Sequence, residues 1–291
     1  MPHLPHAFGQ LAKPTEEPRI AILPLPFERT TSYGKGTSEG PAAILRASQA
    51  LELYDEELES EPWLQGIETL PAFLPEAFDL ETALAEIEEA CLAPLQAGRF
   101  LVTLGGEHSL SQAAVRAAAR TCSEAIGIVQ FDAHADLRDS YDGTRYSHAS
   151  VMRRLVEQGF PSLAVGVRSL SVPEASLVRQ LRMPVLWGHD LPRRDLAERF
   201  ADLLADLPET VYLTFDLDYF DPSLVPATGT PEPGGGLWYP TLELLRLLFE
   251  NKRVVAMDVV ELAPIGGLTA PDFLAAKLVY KCLGYLQQKA S

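Results

Sequence analysis

The chain has 291 residues, of which 47% are hydrophobic and 22% charged, with a formal net charge of −16. This ordinary globular composition leaves ample length for a large core and predicts one α/β domain over residues 1–291. The negative charge argues against a nucleic-acid partner, which requires clustered Lys and Arg, and no apolar run approaches the ~20 residues of a membrane span.

Strand-like and helix-like patterns alternate from the amino terminus onward. Predicted strands cover residues 20–25, 100–104, 125–131, 162–167, 185–187, 211–215 and 254–259. Predicted helices cover residues 41–51, 80–95, 109–120, 148–157, 173–181, 196–207, 242–250 and 271–288. Between the first strands and helices, residues 55–61 form an acidic stretch that we expect to be solvated. The alternation predicts parallel strands joined by right-handed crossovers.

The amino-terminal segment and the cysteines predict a cytoplasmic protein. Residues 1–18 are polar and contain Pro and His, without the basic stretch and apolar core of a signal peptide, so we expect a flexible extension. The three cysteines, Cys91, Cys122 and Cys282, are odd in number and far apart in sequence. They form no disulfide framework or zinc motif, which favours a reducing compartment.

Three short stretches carry side chains that bind divalent metal ions, and each follows a predicted strand. The candidate ligands are His108, Asp132, His134, Asp136, Asp216 and Asp218. Carboxylate oxygens and imidazole nitrogens together suit Mn²⁺, Fe²⁺ or Zn²⁺. Because parallel strands end at a common edge of the sheet, the three stretches are expected to meet there. Six ligands exceed one tetrahedral site, but two ions can share carboxylates and activate water near neutral pH.

The spacing within these stretches supports shared ligation. Asp132, His134 and Asp136 are alternate residues, so an extended chain would point them the same way, and a turn can fold the last one back onto the same ion. Asp216 and Asp218 repeat the arrangement. Solvated loop acids and chance histidines are the alternative, but they explain one such motif better than three in one chain.

Four longer motifs resemble the ureohydrolase (arginase/agmatinase) family. They are GGEHS at residues 105–109, FDAHAD at 131–136, DLDYFDP at 216–222 and PATGTP at 226–231. With residues 24–27 and 30–37, the match covers nearly the whole chain. The resemblance implies a three-layer α/β/α fold with a mostly parallel central sheet, a dinuclear manganese centre and hydrolysis of a guanidinium group to urea.

The resemblance also assigns ligands to two Mn²⁺ ions. One ion would be held by His108, Asp132, Asp136 and Asp216. The other would be held by Asp132, His134, Asp216 and Asp218. Asp132 and Asp216 would therefore bridge the pair, and Asp136 would belong to the catalytic machinery through its metal.

Two further residues receive catalytic roles by position in the family pattern. His148 would deliver a proton to the leaving amine, a task that suits a side chain with an ordinary pKa of about 6.5. Glu261 would pair with the substrate guanidinium, and Asp258 would support the site. The remaining histidines, His3, His6 and His189, match no ligand position.

Substrate choice depends on less specific features. Residues 137–147 are similar to the agmatinase type of loop, including the branch that acts on N1-aminopropylagmatine, and Ser169 stands where arginases tend to have an acid. The resemblance thus implies a small cationic guanidino substrate, with putrescine or spermidine as product, and a trimer or hexamer. Arg29 departs from the expected small residue, and either affects substrate length or points to solvent.

Three alternatives remain open at this point. Another ureohydrolase, such as an arginase, a guanidinobutyrase or a formiminoglutamase, would use the same metal ligands. A non-catalytic homologue would be expected to have lost some of them, whereas every ligand position is filled here. A single-zinc deacetylase on a similar scaffold would need only three protein ligands and a water, which the additional carboxylates argue against.

Overall fold

A sheet of eight parallel strands runs through the computed structural model, which describes residues 7–9 and 17–290. The strands are β1 (Ile20–Leu25), β2 (Ile67–Thr69), β3 (Phe100–Gly105), β4 (Ile126–Phe131), β5 (Ser162–Val165), β6 (Val185–Leu186), β7 (Thr210–Asp216) and β8 (Arg253–Val260). Their order is β2-β1-β3-β8-β7-β4-β5-β6, and every adjacent pair is parallel. The central strands are buried along almost their whole length, as expected for a sheet covered on both faces.

Eight α-helices within the described residues cover the two faces of the sheet. They are α1 (Gly40–Ser48), α2 (Leu80–Gln96), α3 (Ser111–Thr121), α4 (Val151–Glu157), α5 (Val172–Leu181), α6 (Leu196–Ala205), α7 (Trp238–Asn251) and α8 (Ala270–Ala290). One apolar core contains side chains of α1, α6, α7 and α8, and the other contains side chains of α2 to α5. The predicted three-layer α/β/α fold is confirmed, and its sheet is parallel throughout.

Local sequence signals explain where several helices begin. The Asp79 carboxylate accepts a hydrogen bond from the Thr82 backbone nitrogen at 2.8 Å and so caps α2. Ser171 and Glu174 form a capping box at the start of α5. The predicted helix at residues 148–157 begins as a 3₁₀ turn, His148–Ser150, before α4.

Three features differ from the expectations or extend them. Strand β2 was not predicted, because three residues are too short for a periodicity signal. The acidic stretch at residues 55–61 is not wholly solvated, since Asp55 is fully buried and pairs with Lys281 at 2.8 Å. Most of the predicted flexible extension, residues 1–18, lies outside the described residues, but Phe8 is buried in the core.

Candidate metal centre and active site

Four adjacent strands in the middle of the sheet carry the candidate site at their carboxyl ends. Along the sheet these strands are β3, β8, β7 and β4, and the site residues follow each of them directly. The loop after β3 holds His108, the end of β7 holds Asp216, and β4 leads into Asp132. Strand β8 adds Glu261 to the three stretches expected to meet here. The parallel topology therefore explains why residues more than 150 positions apart are neighbours.

The backbone turns sharply at two of these acids. Asp136 and Glu261 have φ angles of 51° and 66°, in the left-handed region that non-glycine residues rarely adopt. At Asp136 this turn follows the expected extended stretch and returns its carboxylate to the His108 imidazole, 3.0 Å away. Such strained residues cluster at functional sites, where the surrounding structure holds them in place.

A close approach of two loops fixes Glu261. The Glu261 backbone nitrogen donates to the Gly106 carbonyl at 2.8 Å, and the Glu261 carboxylate accepts from the His108 backbone nitrogen at 2.6 Å. A Cβ atom on Gly106 would lie 2.2 Å from the Phe27 carbonyl oxygen. Only glycine fits there, which accounts for the second glycine of the GGEHS motif.

The predicted ligands form two groups that share Asp132. In the first, the His108 Nδ1 atom lies 3.2 Å from Asp132 and 3.0 Å from Asp136. In the second, the His134 Nδ1 atom lies 2.8 Å from Asp218 and 3.6 Å from Asp132. Asp216 lies beside the first group, with its carboxylate 3.4 Å from His108 Nδ1. The structure thus brings all six predicted ligands together, in an arrangement that fits two ions with common ligands.

Burial and mutual repulsion disfavour the ionised form of three acids at this site. Burial raises the pKa of Asp136 to about 7, and the nearby charge of Asp132 adds to the effect. Burial, followed by repulsion from Asp218 and Asp132, raises the pKa of Asp216 well above its ordinary value. Burial also raises the pKa of Glu261. Crowded carboxylates of this kind are stabilised by a bound metal ion, and the set of oxygen and nitrogen donors suits one.

Buried hydrogen bonds behind the cluster orient His108. The His108 Nε2 atom lies 2.8 Å from the Thr214 hydroxyl, which donates to Asp258 at 2.7 Å, and Tyr212 donates to the same carboxylate at 2.9 Å. Because the Thr214 hydroxyl gives its proton to Asp258, its oxygen must accept the proton on His108 Nε2. The Nδ1 atom, which is buried without a hydrogen-bond partner, then faces the carboxylates as a free ligand atom. The supporting position expected for Asp258 matches this arrangement, whereas Thr214 was not recognised in the sequence.

A cavity of about 250 Å³ opens onto the cluster. Glu261 and His148, the two residues with expected catalytic roles, both line it together with all the metal-ligand candidates except Asp132. Burial lowers the pKa of His148, although the negative charge of Glu107 opposes the shift. From the 137–147 loop, Tyr141 presents its ring edge-on to the His148 imidazole at 5.7 Å between centroids. The cavity therefore places an imidazole and a buried carboxylate beside the acidic cluster.

Arg29, whose position departs from the family pattern, and Arg168, which precedes Ser169, both bind backbone carbonyl groups. The guanidinium of Arg29 donates to the carbonyls of Ala77 and Phe78, at 2.7 and 3.0 Å. Arg168 donates to carbonyls that include those of Asp218 and Glu232, and so holds the loop after β7. Arg29 is exposed and does not line the cavity.

His189 lies outside the site. His189 is exposed and stacks on Trp187, and His3 and His6 lie outside the described residues.

Comparison with known proteins agrees with this geometry. The profile of the arginase family matches residues 18–284. The chain belongs to the arginase family. An N(1)-aminopropylagmatine ureohydrolase from Synechocystis is 41% identical over 91% of this chain and 88% of its own length. An agmatinase from Pyrococcus horikoshii is 36% identical over 90% of each chain.

Solved structures of arginase-family proteins share the fold. The agmatine ureohydrolase of Thermoplasma volcanium is 29% identical with a TM-score of 0.84, covering 94% of this chain and 91% of that one. The family assignment and the enzyme class, a ureohydrolase that acts on a linear amidine C–N bond, are confirmed. No helix in the described part of the chain has the length and apolar character required to cross a membrane.

Proposed function

We propose that this chain hydrolyses agmatine, or agmatine carrying an aminopropyl group, to urea and putrescine or spermidine with the help of two Mn²⁺ ions. The observation that carries the proposal is the pair of ligand groups sharing Asp132, in a cavity that also holds Glu261 and His148. The names of the aminopropylagmatine ureohydrolase and agmatinase relatives support the substrate class.

The six ligands divide between the two ions as the two groups suggest. His108, Asp132 and Asp136 would hold one ion, and Asp132, His134 and Asp218 the other, with Asp216 as a second shared carboxylate. When bound, the ions would supply the chemistry of lowering the pKa of water so that it acts as a nucleophile near neutral pH. Asp132 is fully buried, which limits competition from bulk water for its oxygens.

Glu261 would bind the cationic end of the substrate. Its carboxylate is buried, lines the cavity, and receives a backbone hydrogen bond from His108 that fixes its orientation. A carboxylate and a guanidinium form two parallel, charge-assisted hydrogen bonds in one plane. This contact would hold the guanidinium carbon beside the ligand cluster in a constant orientation, which lowers the entropic cost of reaction.

His148 would handle the proton that the leaving amine requires. Hydrolysis adds the oxygen of water to the guanidinium carbon and breaks one C–N bond, so that the departing nitrogen must gain a proton. A largely buried imidazole at the cavity wall can take a proton given up by water and pass it to that nitrogen. Glu261 and His148 would therefore have separate tasks, the first in binding and the second in proton transfer.

A substrate panel tests this function. Manganese-loaded protein would be incubated with agmatine, N1-aminopropylagmatine, arginine, 4-guanidinobutyrate and N-formiminoglutamate, with urea and formamide as the measured products. We expect clear urea release from one or both of the first two substrates and much less from the others. Activity on arginine equal to or above that on agmatine would contradict the substrate assignment.

Two variants connect the activity to the cavity. His148→Asn should lower kcat by about a hundredfold or more, since general acid–base catalysis contributes roughly 10²–10⁴. His189→Asn is the matched control, because His189 is exposed and stacks on Trp187 away from the cavity lining. Equal losses in the two variants would show that His148 has no special role.

A further inference from the structure

Glu107 is a fully buried carboxylate next to the site that receives four hydrogen bonds. Its Oε2 atom accepts from the backbone nitrogens of Arg29 and Thr30, both at 2.6 Å. Its Oε1 atom accepts from the hydroxyls of Thr30, at 2.8 Å, and Ser109. A carboxylate with four donors around it is satisfied in its ionised, acceptor-only form. The Thr30 hydroxyl therefore donates its proton to Glu107.

The Thr30 hydroxyl connects Glu107 with His148. Its oxygen accepts a hydrogen bond from the His148 backbone nitrogen at 3.0 Å and lies 3.2 Å from the His148 Nδ1 atom. A hydroxyl has one proton and two lone pairs. With the proton given to Glu107 and one lone pair used by the backbone nitrogen, only a lone pair remains for the imidazole. The His148 Nδ1 atom must then carry a proton to make this contact.

The second neighbour of the imidazole is compatible with the same assignment. The Ser147 hydroxyl lies 3.3 Å from His148 Nδ1 and accepts a bond from the Ala149 backbone nitrogen. An Nδ1 proton can be shared between the Thr30 and Ser147 oxygens. An unprotonated Nδ1 would instead face a lone pair of Thr30. Neutral His148 therefore has its proton on Nδ1 and its lone pair on Nε2.

We propose that Thr30 and Glu107 are positioning residues that hold the Nδ1–H form of His148, so that Nε2 handles the proton of the reaction. The inference rests on the proposed role of His148. In the reaction, Nε2 accepts a proton released by water and transfers it to the departing nitrogen, and the imidazole returns to its starting form. While the ring is doubly protonated, the negative charge of Glu107 stabilises it through the Thr30 hydroxyl.

The loop around Thr30 does not need this hydroxyl for its attachment. The backbone nitrogens of Arg29 and Thr30 already bind Glu107, and Glu28 binds the following segment through Gly36 and Ser38. The hydroxyl contact with the ring is thus an additional feature whose removal leaves the main attachments of the loop in place. This makes a substitution at Thr30 more informative than one at Glu107, which adjoins the ligand His108.

A series at position 30 tests the proposal. Thr30→Val keeps the shape of the side chain without the hydroxyl, and Thr30→Ser keeps the hydroxyl. We expect Thr30→Val to lower kcat by about tenfold to a hundredfold, with KM within about threefold and unchanged manganese content, and Thr30→Ser to recover most of kcat. The matched control is Thr31→Val, which removes a neighbouring hydroxyl that bonds Glu28 and not His148. Wild-type kcat in Thr30→Val, or a loss that Thr30→Ser does not recover, would overturn the proposal.

A second measurement tests the hydrogen bonds that connect Glu107, Thr30 and His148, and it does not depend on turnover. Nitrogen-15 spectra of histidine-labelled protein, loaded with diamagnetic Zn²⁺ and assigned with His148→Asn, report which nitrogen of His148 carries the proton. The Nδ1–H form is expected in the wild type and in Thr30→Ser, and a mixture of forms in Thr30→Val. An Nε2–H form in the wild type would show that Thr30 and Glu107 do not hold the Nδ1–H form of His148. If no guanidino substrate yields urea, the proposed function fails, and these spectra still determine which nitrogen of His148 carries the proton.

Discussion

Two groups of buried acids in this protein are neutralised in different ways. Asp55 is fully buried, and the Lys281 ammonium lies 2.8 Å from it and 3.0 Å from Glu57. Burial alone would lower the pKa of Lys281. The carboxylates of Asp55 and Glu57 raise it by more, so the lysine stays charged. At the carboxyl edge of the sheet, by contrast, five buried acids lie beside three imidazoles. Among the described residues, Arg138 is the one lysine or arginine that lines their cavity.

The difference separates a structural ion pair from a binding site. Burying an unpaired charge is expensive, so a chain that needs a buried acid for its fold generally supplies the counter-ion itself. Lys281 does this between α8 and the segment after α1. At the sheet edge, Asp136 and Glu261 have positive φ angles, and burial raises the pKa values of Asp136, Asp216 and Glu261. The chain therefore maintains a local excess of negative charge that a bound cation would neutralise.

The largest effect is expected from removing the acid common to both ligand groups. Asp132→Asn should abolish binding of both ions and lower urea release by about a thousandfold or more, since metal ions supply several kcal/mol of transition-state stabilisation. Metal content per chain and kcat measure the two effects. A variant that keeps both metals would contradict the shared-ligand assignment.

Removing the lysine tests the opposite half of the comparison. Lys281→Met leaves Asp55 buried without its cation and should reduce the free energy of unfolding by about 3–5 kcal/mol. The folded fraction should still bind metal with wild-type affinity. Thermal unfolding and metal titration at low temperature provide the two readouts.

A matched double variant shows whether the loss comes from charge or from packing. Asp55→Asn combined with Lys281→Met removes both charges, and it should recover a large part of the stability lost in Lys281→Met alone. If the single and double variants were equally destabilised, lost packing around α8 would explain the effect, and the contrast between the two acid groups would be weakened.

An effect of intermediate size is expected from removing the hydrogen bonds that lie behind the metal ligands. Thr214→Val breaks the chain from Asp258 to His108 and should weaken metal affinity by about tenfold to a hundredfold. Competition with a metal-binding dye measures this loss. Thr241→Val is the matched control, since Thr241 is also fully buried but bonds Leu237 and Tyr219, away from the ligands. Similar affinities in both variants would show that the chain does not orient His108.

The ligands were predictable from sequence because short motifs carried them. The three stretches from His108 to Asp218 each follow a buried strand, and parallel topology is enough to bring strand ends together. The alternation of strands and helices predicted the parallel strands, and the family resemblance supplied the three-layer α/β/α arrangement. The family pattern added His148 and Glu261, which share the cavity with the ligands but have no comparable spacing signal of their own.

The supporting residues were not predictable, since their roles depend on contacts between distant segments. Thr214 looks like any residue of a buried strand. Thr30 acquires its contact with His148 only because the loop after β1 packs against the 3₁₀ turn before α4. Asp55 was misassigned for the same reason. Its neighbours in sequence are acidic, but its partner Lys281 is 226 residues away. Composition describes a segment, whereas burial depends on what folds over it.

The smallest effect, and the sharpest difference between the two acid groups, concerns pH. In the metal-free protein the pKa of Asp136 is raised from 3.8 to about 7. A raised carboxyl pKa stabilises the fold fully below the ordinary value, and this contribution is lost as the pH rises through about 7. Metal binding requires the deprotonated carboxylate, so the stabilisation by Mn²⁺ should increase from pH 5 to pH 7, by at most about 1.4 kcal/mol per pH unit for each proton displaced. Melting temperatures with Mn²⁺ or with EDTA across this range give the difference.

Because the Asp55–Lys281 pair keeps its own cation, the double variant at these positions should show the same increase. A Mn²⁺ stabilisation that stays constant or falls as the pH rises would mean that the acids at the sheet edge are already ionised without metal, and that their excess charge is tolerated by the fold alone.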